Sequence, residues 1–105
     1  MAATGENLVV TATGARQGRA TATRMPSMAA RFVTIMAENA NTGNVYIGLA
    51  GVTATPSTDD LTTGIQLDAG QSIRLPLDND LDELYYICDN TTDDFTFLVE
   101  SHALI

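Results

Sequence analysis

Asp78, Asp80 and Asp82 stand at alternate positions and Asp89 follows eleven residues after the first, a spacing that suits oxygen ligands in a calcium loop. The sixth position of that loop needs a glycine for its sharp turn, and here it is Glu83. Leu84 to Cys88 would also have to be loop and strand at once. The segment therefore reads as a solvated acidic turn. Two adjacent pairs, Asp59 with Asp60 and Asp93 with Asp94, could meet a cation only if subunits brought them together, and Asp59 and Asp60 are carried as interface candidates. His102 is the sole histidine and Cys88 the sole cysteine, and neither has companions at metal-ligand spacing. Gly48, Gly51 and Gly64 do not form a phosphate cradle ahead of a helix. No enzyme activity, metal or cofactor is expected.

The remaining reactive groups suit contact between proteins. Every basic residue is an arginine, whose planar fork pairs two-pronged with carboxylates. Arg16, Arg19 and Arg24 lie in the first 30 residues and are candidates for such pairing. Through Arg31 the chain has four arginines and one acid, whereas residues 32 to 105 have one arginine and twelve acids. This asymmetry suggests an arm that lies across an acidic surface, such as that of a neighbouring copy; a mobile tail with a first strand at Leu8 to Ala12 is the plainer alternative. Of the adjacent Tyr85 and Tyr86, one must face away from the core of a regular strand, and Tyr86 is taken as the interface candidate.

These groups need a scaffold, and the totals bound it. A chain of 105 residues is one domain with a real core, divided here into an arm with its first strand or strands (1–30) and a β domain (31–105). The net charge of -8 disfavours nucleic acid as a partner. No apolar run approaches the length of a membrane span, and a soluble protein made without export is expected. A lone cysteine cannot form an internal disulfide, and its setting in Tyr85-Tyr86-Ile87-Cys88 suggests a buried, inert thiol.

Along the chain, short apolar alternations are separated by polar turns. Arg19 to Arg24 suits a short strand that Pro26 interrupts. Arg31 to Glu38 carries apolar groups on both alternating faces, as for a strand covered on both sides or by a neighbouring subunit. Asn39 to Gly43 is a turn, and the strand from Asn44 is expected to form a hairpin with the strand before it. Thr53 to Gly64 is loop; Ile65 to Leu67 and Ile73 to Leu77 resume the alternation, with Pro76 confining the latter to an edge or a strand end. Leu84 to Cys88 and Phe95 to Val99 complete the set. The pattern is all-β: an antiparallel sandwich or jelly-roll-like barrel with an extended amino-terminal arm.

Val45-Tyr46-Ile47-Gly48, Gly51-Val52-Thr53, a polar loop to Gly64-Ile65-Gln66-Leu67, Ala69-Gly70-Gln71-Ser72-Ile73 and the Leu81 to Ile87 segment together resemble small virion proteins of tailed bacteriophages. Among these the chain is most like capsid decoration, or cement, proteins. The resemblance covers about residues 31 to 99 and consists of turn glycines and strand residues. It implies a β-sandwich or jelly-roll component of the virion's capsid surface that binds the major capsid protein and self-associates, as a homotrimer in many such proteins. Tail, baseplate and head-to-tail connector components are the related alternatives. A receptor- or carbohydrate-binding module is a more distant one. The Thr53 to Thr63 loop and the arginine-bearing arm depart from the family pattern.

Overall fold

Alternating apolar residues bounded by Gly, Asn and Asp turns produce strands throughout the computed structural model, which describes residues 8–54 and 64–102. They are β1 (Leu8–Arg16), β2 (Thr23–Arg24), β3 (Phe32–Ala37), β4 (Val45–Gly48), β5 (Ile65–Leu67), β6 (Ser72–Pro76), β7 (Tyr85–Cys88) and β8 (Phe95–His102), with one short 3-10 turn at Leu81–Glu83. The fold is all-β, with two antiparallel four-stranded sheets in the orders β1-β8-β3-β6 and β2-β7-β4-β5. The first strand pairs with the last, the second with the seventh, the third with the sixth and the fourth with the fifth.

One face of each sheet builds the core. In the first sheet Val33, Ile35, Ala37, Phe95, Phe97 and Val99 are buried, and their odd-numbered spacing leaves Thr34, Met36, Thr96 and Leu98 on the other face. Val45, Ile47, Leu67, Tyr86 and Cys88 answer from the second sheet. Gly14 sits opposite Phe97, where an added Cβ would come within 2.6 Å of the ring, so a side chain there would compete with it for the same space. Gly51 and Gly70 have φ of +87° and +82°, the left-handed backbone that glycine adopts without penalty.

The expected hairpin between β3 and β4 does not form. These strands lie in different sheets, and the Asn39 to Gly43 turn carries the chain to the other sheet instead of back along the same one. Asp68 to Gln71 makes the same crossing between β5 and β6. β6 is an edge strand and Pro76 is its last residue, where the missing N–H interrupts no ladder. β2 is shorter than the expected Arg19 to Arg24 strand: only Thr23 and Arg24 are ladder residues, although the Arg19 carbonyl still accepts from the Cys88 N–H at 2.8 Å. Residues 8–16 of the arginine-bearing segment are paired with β8 from Leu8↔His102 to Arg16↔Phe95, with a bulge between Val10 and Ala12. Residues 1–7 and Thr55 to Thr63, including Asp59 and Asp60, lie outside the described residues.

The strand directions gather the turns at two ends. One end holds the connections 17–22, 38–44, 68–71 and 89–94; the other holds 25–31, 49–54 and 77–84, together with Leu8 and His102.

Candidate protein interface

The four arginines of the first 31 residues do not form one patch. Arg16 and Arg19 belong to the first of the two ends, Arg24 and Arg31 to the second. Arg16 is half-buried at the end of β1, with its Nε shut away from solvent and unpartnered, beside a shallow groove of about 320 Å³ lined also by Gln17, Glu38 and Asp94. Arg19 is exposed. Arg24 donates from Nε to the Tyr85 hydroxyl at 2.9 Å and lies 5.3 Å from the ring centre. Arg31 contacts His102 Nε2 at 3.4 Å.

Tyr86 is in the core and not at an interface: it is 0 % exposed, its hydroxyl donates to the Gln17 carbonyl at 3.2 Å, and its ring packs against Phe95. The outward member of the pair is Tyr85, half-buried beneath Arg24. Cys88 shares the parity of Tyr86 along the strand, so a buried cysteine already implies an inward Tyr86. Burial raises the Cys88 thiol pKa, which keeps the thiol protonated and unreactive.

The acidic turns use carboxylates on backbone N–H groups, of their own turn and of neighbouring connections. Glu83 accepts N–H bonds from Asn79 at 2.7 Å, Asp78 at 2.8 Å and Asp80 at 2.9 Å, which lower its pKa. Asp80 accepts from the Asp82 N–H at 3.0 Å and the Met28 N–H at 3.1 Å, with the same consequence. Asp82 is pushed up, by desolvation first and then by its hydrogen bond with Asp80. Together Asp80 and Glu83 form a capping box for the 3-10 turn. At the other end Asp93 is fully buried and accepts from the Thr42, Gly43 and Asn90 N–H groups and from Asn90 Nδ2 at 2.9–3.1 Å. Among the described residues no group of three or more His, Cys, Asp or Glu side chains is placed to hold a metal ion. No helix among them is long and apolar enough to cross a membrane.

Two surface arrangements were missed by sequence reasoning. Arg74 lies 3.9 Å over the Phe32 ring and pairs with Glu100 at 2.9 Å, joining three strands on the outer face of the first sheet. Beside this pair runs an uncharged surface: Thr13, Leu98 and Thr34 form one row across β1, β8 and β3, and Ala15, Thr96 and Met36 the next. The odd-even parity of β3 and β8 carries the signal for this face, but only the pairing register brings the rows together. Comparisons with known protein families, with curated proteins and with solved structures find no match.

Proposed function

We propose that this chain is a non-enzymatic structural protein of a tailed-phage virion, a jelly-roll sandwich that binds the outside of the head as a decoration protein. The observation that supports it most is the pairing of strands one with eight, two with seven, three with six and four with five. This is how a long hairpin pairs before being rolled into two sheets, an architecture used by viral capsid domains among others. Architecture alone does not specify function. The resemblance to decoration proteins supplies the role, and the residues that carry it occupy positions where the backbone demands them. Gly51 and Gly70 have positive φ, and a Cβ at Gly48 would meet Val52 at 2.8 Å.

The described surface suits binding by area better than catalysis, since the carboxylates of its acidic turns are engaged by backbone donors. In this reading the head contact lies at the end of the sandwich that carries Arg24, Tyr85 and Arg31, the end at which Leu8 begins β1. The copies associate with one another, as a trimer. The purified chain should co-sediment with undecorated heads of the virion it belongs to, and Arg24→Glu with Arg31→Glu should weaken that binding at least tenfold. Binding to isolated tails and not to heads would favour a tail component. Selective glycan binding in place of either would favour a receptor module.

A further inference from the structure

We infer that copies of this chain associate through the uncharged outer face of the first sheet together with the free edge of β1. The inference rests on the preceding reading only for the expectation that copies associate; the surface is argued from the fold.

β1 is nine residues long and, among the described residues, pairs on one side only, with β8. The other edges are blunted: β2 has two residues, β5 has three, and β6 carries Arg74 and ends in Pro76. β1 is blunted only by the bulge between Val10 and Ala12. Leu8 to Ala15 contains no charge and no proline, and Val9 and Val10 are 45 % and 55 % exposed. Unpaired backbone groups along such an edge are a template for another strand.

The edge continues into the face formed by Thr13, Ala15, Thr34, Met36, Thr96 and Leu98, which surround a shallow depression of about 510 Å³. Met36 is 41 % exposed although β3 is an inner strand, flanked by β8 and β6. Charge stays at the margins: Arg74 and Glu100 neutralise each other on one side, and Glu38 and Asp94 line the far end.

This distribution selects a second copy as the occupant. A chain of net charge -8 repels its own copies wherever acidic turns face one another, so self-contact is least opposed where charge is absent. A basic partner would gain nothing here that the acidic turns do not offer better. Threonine hydroxyls both donate and accept, so a threonine-lined surface satisfies another of its kind, which a carboxylate surface cannot do. The apolar residues on both faces of β3 then have a common account: one face is covered by the second sheet, the other by a neighbouring copy.

Light scattering and sedimentation of the full chain test this. The unaltered protein should have a mass that is a multiple of 11.1 kDa. Thr13→Lys with Met36→Lys, both at exposed positions, should reduce it to the monomer mass without changing the far-ultraviolet circular dichroism. As a second measurement, a maleimide should label Ala15→Cys at least tenfold more slowly than Asp78→Cys, with Cys88 buried and silent in both. A monomer at all concentrations, a charged variant that stays associated, or equal labelling rates would overturn the inference. Head binding is scored separately. Retained binding by a monomeric unaltered chain sinks the inference, and the trimer with it, and leaves attachment to the head intact; association through this face without head binding does the reverse.

Discussion

The rings of Tyr86 and Phe95 meet edge to face, with centres 4.8 Å apart and planes at 77°, and so join β7 of one sheet to β8 of the other. Both are fully buried, and the Tyr86 hydroxyl also holds the carbonyl of Gln17, just beyond the end of β1. One side chain thus fixes the spacing of the sheets and the exit of the first strand. Tyr86→Phe removes only the hydrogen bond and should cost about 1 kcal/mol. Tyr86→Ala also opens a cavity and should cost about 3–5 kcal/mol, the range for truncating large buried aromatics. Urea denaturation followed by circular dichroism measures both, and Tyr85→Ala, at the half-exposed neighbour, should fall well below the second value.

Asp93 is the corresponding polar fastening. Its Oδ1 accepts from the Thr42 and Gly43 N–H groups, and its Oδ2 from the backbone and side-chain nitrogens of Asn90. It therefore ties the β7–β8 turn to the crossing between β3 and β4. Asp93→Ala should cost about 3 kcal/mol, because several buried donors lose their acceptor together. Asp93→Asn keeps the volume but presents an NH₂ group to two N–H donors, and denaturant titration should place it between the alanine variant and the unaltered chain.

Glu83 gives the fold an acid-sensitive contact. Its carboxylate binds three backbone N–H groups in the folded chain, so its folded pKa lies below that of the unfolded chain. The stabilisation is fully present above the unfolded value, about 4.3 for glutamate, and is lost as pH falls through the lowered folded value. Asp80 acts in the same direction. Asp82, raised by desolvation and by Asp80, acts oppositely and gains stability on protonation. Melting curves of Glu83→Gln should show a lower Tm than the unaltered chain at neutral pH and a shallower fall in Tm below about pH 4. An unchanged acid limb would mean that the three hydrogen bonds do not control it.

Strand positions were legible because alternation and turn chemistry are local. Phe32 to Ala37, Val45 to Gly48 and Tyr85 to Cys88 fall within the segments that their patterns mark. Partnership was not legible, because it depends on where a turn sends the chain. Asn39 to Gly43 has the composition of a hairpin turn, yet Asp93, fifty residues away from Gly43, receives its N–H and holds it as a crossing between sheets. The interface candidates divided on the same ground. Arg16, Arg19, Arg24 and Arg31 are neighbours in sequence, but β1 and β2 carry them to opposite ends of the two sheets. The inward direction of Tyr86 could have been read from its shared parity with Cys88, whereas the uncharged face required the register of β1, β8 and β3.

The buried thiol makes the cooperativity of this arrangement measurable. Cys88 is 2 % exposed, lies in the core with Tyr86 and Phe95, and has its pKa raised chiefly by desolvation. Both inaccessibility and protonation oppose attack on a thiol reagent, because the thiolate is the nucleophile. The native chain should therefore react with a disulfide reagent at least a hundredfold more slowly than the urea-unfolded chain. When reclosing outpaces chemistry, the labelling rate tracks the population of the open form, so Tyr86→Ala and Asp93→Ala should accelerate it in proportion to their loss of stability. Fast labelling of the unaltered native chain would show that β7 opens locally, without separation of the two sheets, and that the Tyr86–Phe95 contact does not hold this strand in place.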